Sequence, residues 1–177
     1  MFYDFMLGID SSFDELKEFI IEEIIKKNII NNVKVVVNSE KRLSFISEAF
    51  NSSLSAGGQG LIFMSEDYNM NLKYSMDFDI HSEYVRWPEE LMIFIGCIIK
   101  KYSGEYVLES NGDNPILMSK NGIIIVDDKK LKRITRLPFE LFLSATLKSP
   151  KISPSLKDMN LQSYAFAYLS ASEPLSP

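Results

Sequence analysis

The sequence predicts an α+β domain: an antiparallel or mixed sheet of five to six strands with two helices packed on one face, plus a C-terminal extension. Three observations carry that expectation. Tyr68 to His81 alternates without a break, with Tyr68, Met70, Leu72, Tyr74, Met76, Phe78 and Ile80 on one side and Asn69, Asn71, Lys73, Ser75, Asp77, Asp79 and His81 on the other. A period of two over this length is a strand with one buried and one wet face, and a wet face excludes an all-parallel sheet covered on both sides. Two stretches, Phe13 to about Lys27 and Pro88 to Lys101, carry apolar residues at helical spacing. Turn dipeptides at Asn111-Gly112 and Asn121-Gly122 then divide residues 105–126 into a meander.

The elements follow in order. Phe2 to Ile9 reads as a strand, with Tyr3, Phe5, Leu7 and Ile9 inward and Asp4 and Gly8 opposite. Ser12 and Glu15 form a capping-box pattern, so the first helix starts at Phe13 and stacks Leu16, Ile20 and Ile24. Val33 to Val37 is a strand by its β-branched content. Residues 38–50 fit a short helix through Leu43, Ile46 and Phe50 or a strand through Leu43-Ser44-Phe45. Asn51 to Gly60 has loop composition, Gly60 to Met64 reads as a strand, and Glu66-Asp67 as the turn into the long strand. Pro88 suits the first turn of the second helix, Glu89 and Glu90 suit its positive end, and Gly104 stops it. Strands at 105–109, 115–118 and 123–126 complete the core, the last expected to be buried on both faces because Ile123, Ile124 and Ile125 are consecutive. Residues 138–147 and 158–169 fit two short helices. The core should draw on Leu16, Ile20, Ile24, Met70, Leu72, Phe78, Leu91, Phe94, Ile95, Ile98 and Ile124.

A chain of 177 residues with 46% hydrophobic content supports one domain with a real core. We place that domain at residues 1–128 and a C-terminal extension at 129–177, where a basic run and five prolines change the character of the chain. The single cysteine, Cys97, excludes an internal disulfide and any multi-cysteine zinc site. No opening segment resembles a signal peptide and no apolar run reaches membrane-spanning length, so the expectation is a cytoplasmic protein without a membrane partner. A net charge of −5 argues against a nucleic-acid partner and suits a basic protein better. Mild negative charge also serves solubility alone.

Chemistry is hard to place. His81 is the only histidine, so any histidine-assisted nucleophile must use it, and it reads as a surface residue at a strand end. Asp77, Asp79 and His81 share a strand face, yet no second element supplies further ligands, so neither metal nor cofactor is expected. The pairs Glu66-Asp67, Glu89-Glu90 and Asp127-Asp128 are adjacent in sequence and point apart in regular structure. Gly57-Gly58-Gln59-Gly60 reads as lacking the preceding strand, the following helix and the lysine of a phosphate loop. Trp87 and Tyr84 could anchor an interface, but a Trp beside a helix start is more often a hydrophobic plug. The expectation is a protein that is not an enzyme.

The run from Ser103 to Asp128, SGEYVLESNGDNPILMSKNGIIIVDD, resembles bacterial toxin-immunity proteins of the Sit-type and contact-dependent growth inhibition families. Gly104-Glu105, Val107-Leu108, Asn111-Gly112-Asp113, Ile116-Leu117 and Asn121-Gly122-Ile123 carry the likeness. Tyr3-Asp4-Phe5-Met6-Leu7 before a helix, and an alternating strand before an apolar helix, extend it to residues 1–27 and 68–128. Glu105 stands where the pattern has Asp, and Asp113 where it has Glu. The resemblance implies neutralisation of a cognate toxin domain, with a nuclease among the candidates, by tight binding without catalysis. On that reading Asp77 and Asp79 on the wet face, with Glu66, Asp67, Glu109 and Asp113 in turns beside it, would meet a basic toxin. A non-catalytic adaptor that binds another protein is the alternative.

Overall fold

The computed structural model describes residues 1–111, 115–120, 123–126, 137–138 and 166–169. It is an α+β fold built on one antiparallel sheet. The strands are β1 (Phe2–Ile9), β2 (Lys34–Asn38), β3 (Arg42–Ile46), β4 (Phe50–Ala56), β5 (Tyr74–Ile80), β6 (Gly104–Ser110), β7 (Leu117–Lys120), β8 (Ile123–Val126) and β9 (Phe166–Leu169). Their order is β2-β3-β4-β5-β1-β6-β7-β8-β9, so the first strand lies mid-sheet between β5 and β6. The nine strands among the described residues exceed the expected five to six, partly because β4 and β9 come from segments whose composition suggests loop and helix.

One face carries the main core, under α1 (Phe13–Phe19) and α3 (Trp87–Lys101). The expected capping box is present: Ser12 Oγ accepts from the Glu15 amide at 3.2 Å, and Glu15 Oε2 accepts from the Ser12 amide at 2.8 Å. The first helix does not stay α-helical to Lys27. It widens to a π-helical segment over Ile20–Ile25, where the Lys26 amide reaches the Ile21 carbonyl at 2.9 Å, while Ile20 and Ile24 stay buried beside Leu16. Phe50 meets Phe78 edge-on at 5.1 Å and 86°, and Phe78 meets Phe94 at 5.6 Å and 77°. Such contacts add about 1 kcal/mol each beyond the area they bury. Trp87 plugs the helix start against Tyr3, with ring centroids 5.9 Å apart. Ile124 is only partly buried against this core, and the side chains of Ile123 and Ile125 lie outside the described residues.

The opposite face is half covered. Residues 59–68, read in part as a strand, form a third helix, α2 (Gln59–Tyr68), and the loop-like Asn51 to Ala56 belongs to β4. In β4 the polar residues alternate with Phe50 and Leu54: Asn51, Ser53 and Ser55 point away from the main core, and Ser52 donates to the Asp77 carbonyl at 2.9 Å. The run Leu61-Ile62-Phe63-Met64 is too short for periodicity to separate strand from helix. Its helical setting turns Leu61, Met64 and Tyr68 onto the sheet.

The long alternating stretch also conceals a change of side. Only Tyr74–Ile80 is a strand, and its inward residues join the main core. Met70 and Leu72 pack into a second cluster with Met6, Leu61 and Val107 on the opposite face. Asn69 ends α2 in the left-handed region (φ 50°), and the chain then crosses Gly8 so closely that a Cβ there would lie 2.4 Å from the Asn71 carbonyl oxygen. Of the two tail helices expected from sequence, 138–147 falls almost wholly outside the described residues, and the end of 158–169 is β9, paired with β8.

Candidate binding surface

Register maps the half-covered face residue by residue. Phe2 pairs with Asp79, Asp79 with Asn51, and Asn51 with Ile46, which makes one row across β1, β5, β4 and β3. The next row runs Glu109, Asp4, Asp77, Ser53, Ser44 and Val37. A third runs Val107, Met6, Ser75, Ser55 and Arg42. Helix α2 packs on the Val107 and Met6 end of the third row, so the first two rows are largely open.

The open part forms a shallow groove of about 320 Å³ lined by Phe2, Val36, Ile46, Arg42, Asp77 and Asp79 among others. Phe2 is 55% exposed, Val36 55% and Ile46 45%. The outer side of α2 continues this character. Ile62 and Phe63 are more than half exposed, and Glu66 and Asp67 follow each of them one helical turn later. Isolated exposed apolar residues need no explanation, but five large ones beside exposed carboxylates on one side of the sheet make a surface suited to protein contact.

Asp4 is the residue that sequence reading left out of the site. It stands between Asp77 and Glu109, and partial burial, reinforced by the Asp77 charge, a hydrogen bond to Asp77 and the Glu109 charge, pushes its carboxyl up to about 6. Its outward position on β1 was legible; its registry with Asp77 was not. Around this row Arg42 Nε donates to Ser53 Oγ at 2.8 Å, and Ser44 donates to the same oxygen at 3.1 Å.

The six acidic residues expected to act together do not all meet. Asp77 and Asp79 line the groove and are exposed. Glu66 and Asp67 lie in the last turn of α2 rather than in a turn before the strand, because residues 59–68 are helical; Glu66 borders a separate cleft with Gly57, Ile62 and Asn71. Glu109 is not in a turn either. It sits in β6, 5% exposed, where it accepts a hydrogen bond from the Tyr68 hydroxyl, so a partner could not reach it as a surface charge. Asp113 lies outside the described residues.

Other candidates resolve structurally. His81 directly follows β5, and its Nδ1 lies 3.1 Å from the Glu48 carbonyl, which makes that nitrogen a donor. Cys97 is half-buried in α3, and burial raises its thiol above the usual range, away from a reactive thiolate. Gly57-Gly58-Gln59-Gly60 does follow a strand and open a helix, contrary to the sequence expectation, but the cleft beside it is floored by Asp4 and Glu109 and the phosphate-loop lysine is missing. Glu90 suits the positive end of α3, as its sequence position implies, but its main role is buried. It is 1% exposed and accepts hydrogen bonds from the Asn31 amide, the Asn31 side chain and the Tyr84 hydroxyl.

Among the described residues, no group of three or more His, Cys, Asp or Glu side chains is placed to hold a metal ion, and no helix is long and apolar enough to cross a membrane. Comparison with known proteins returns no matching family, no matching curated protein and no matching solved structure.

Proposed function

We propose that this chain is a non-catalytic binding protein that neutralises a basic partner, in the manner of the toxin-immunity proteins its sequence resembles, and that it does so in the cytoplasm. One observation carries the reading: Phe2, Val36 and Ile46 in the groove, with Ile62 and Phe63 on α2, sit among Asp77, Asp79, Glu66 and Asp67 on the same side of the sheet. Apolar anchors supply the buried area of an interface, and the carboxylates around them select and steer a cationic partner. Neutralisation of this kind needs only that the partner's working surface be covered. It asks for no nucleophile, metal or cofactor.

The test is co-purification of the tagged chain with the product of the gene immediately upstream. The expected result is a stoichiometric complex that suppresses that product's toxicity, with affinity in the nanomolar range or tighter. Affinity should fall as salt rises and fall again in the double variant Asp77→Lys, Asp79→Lys. Binding unchanged by those reversals would place the interface elsewhere. No complex and no protection would sink the neutralisation reading.

A further inference from the structure

Helix α2 is attached unlike the rest of the fold. It is entered through Gly57 and Gly58, both at positive φ (66° and 110°), and a Cβ at either would meet nothing within 4 Å. Its first turn has no side-chain cap, and it leaves through Asn69 at φ 50°. Both ends therefore carry residues that adopt alternative backbone angles at small steric cost. Leu61 is its only buried residue, against eight in α3. A cleft of about 300 Å³ opens beside its first half, lined by Gly60, Leu61 and Met64 and by Asp4, Met6 and Glu109 of the sheet.

Besides the packing of Leu61, what holds it down is a set of polar contacts at the far end. The Tyr68 hydroxyl donates to Glu109, and Lys120 Nζ donates to the carbonyls of Tyr68 and Asn69 at 3.0 and 2.6 Å, closing the negative end of the helix. Beneath α2 lies a patch of unusual composition, with Met6, Met70, Leu72 and Val107 buried, Met118 packed beside them and Met64 of α2 resting on them. Methionine-rich surfaces are flexible and repack against different apolar partners. Met6 and Val107 also belong to the third row of the face whose first two rows are open, so the patch continues the groove.

We propose that α2 is a hinged cover, latched by Tyr68 and Lys120, that swings off the sheet to expose this methionine-lined patch as an extension of the open face. The covering occupant is α2 itself, and opening needs no partner. Elements with few buried contacts and free hinges open far more often than the global unfolding reaction.

Hydrogen exchange on the full chain tests this. Amides of residues 59–68 should exchange much faster than those of residues 91–98, and Tyr68→Phe should accelerate α2 by roughly tenfold while leaving α3 unchanged. Lys120→Gln, which leaves Glu109 and the hydroxyl in place, should act in the same direction. Faster oxidation of Met6 and Met70 by peroxide in either variant would report the patch itself. Amides of α2 as slow as those of α3, or acceleration of both helices together, would overturn the cover.

Discussion

Asp4 on β1 stands directly opposite Asp77 on β5, with Glu109 of β6 on its other side. Like charges opposed across a strand pair repel, so one of them holds its proton more tightly. Folding raises the Asp4 pKa from 3.8 to about 6, first through burial and then through Asp77 and Glu109. Between those values the folded chain binds more protons than the unfolded one. The favourable contribution is therefore complete below pH 3.8 and is lost as pH rises through about 6. Asp4→Asn keeps the shape, removes the repulsion and should stabilise the protein by about 1 kcal/mol near neutral pH, a figure reduced for partial solvent exposure. Urea unfolding of both proteins from about pH 4 to about pH 8 checks it. The gain should shrink towards the acid end, and an Asn variant less stable than the parent at neutral pH would contradict this account.

Glu90 fastens the segment before β2 to α3. Its carboxylate accepts from the backbone and side chain of Asn31 and from Tyr84, all within part-buried surroundings. Glu90→Ala leaves the Asn31 amide and the Tyr84 hydroxyl without that acceptor and the Asn31 side chain with only a 3.4 Å bond to Tyr84, and should cost about 3 kcal/mol, whereas Tyr84→Phe removes one donor and should cost about 1 kcal/mol. In the double variant most of the Tyr84 loss should vanish, since only the long 3.4 Å bond from Asn31 Nδ2 to its hydroxyl then remains to be lost. Additive losses in denaturant unfolding would show that Tyr84 acts through packing alone.

The capping box at the start of α1 offers a cleaner local test. Ser12→Ala removes the acceptor of the Glu15 amide while Glu15 can still reach back to the residue 12 amide. The expected loss is about 1 kcal/mol in chemical denaturation, with little change in the unfolding slope. A loss near zero would mean that solvent replaces the cap at this exposed helix end.

These differences track where the sequence was legible. The α+β class, the central strand, the capping box and the apolar stripe of α3 all rest on residues with one dominant environment. Phe13, Leu16 and Ile20 have only one way to be buried together, and Phe94, Ile95 and Ile98 likewise. The failures lie where one local pattern serves two structures. Met70 and Leu72 keep the period of Met76 and Phe78 yet face the other side, because the reversal happens in the backbone between Asn69 and Lys73 rather than in side-chain chemistry. Ser52, Ser53 and Ser55 look like loop residues because nothing local announces the strands on either side that pair with them. For the surface, Asp77 and Asp79 were readable from strand parity. Asp4 and Ile46 joined them only through cross-strand register, and Ile62 and Phe63 only through the helical setting of α2. Glu109 failed for a third reason: the helix whose Tyr68 covers it spans residues whose local pattern suggests a strand and a turn.

Gly8 and Gly104 meet at the crossing of β1, β6 and the segment leading into β5. A Cβ at Gly8 would lie 2.4 Å from the Asn71 carbonyl oxygen, and one at Gly104 would lie 2.6 Å from the Gly8 carbonyl oxygen. Both obstacles are backbone, which cannot turn aside as a long side chain can. Gly8→Ala and Gly104→Ala should each destabilise the fold by about 2 kcal/mol or more, because strands must shift to admit the methyl group. Gly57→Ala makes the contrast. Its Cβ meets nothing, so the cost is the left-handed backbone alone, about 1 kcal/mol, partly offset by the lower entropy of the unfolded alanine chain. The order of midpoints in thermal unfolding should be Gly57→Ala above the other two. Equal losses at all three sites would mean that backbone angle, rather than close approach of the strands, sets the requirement for glycine in this sheet.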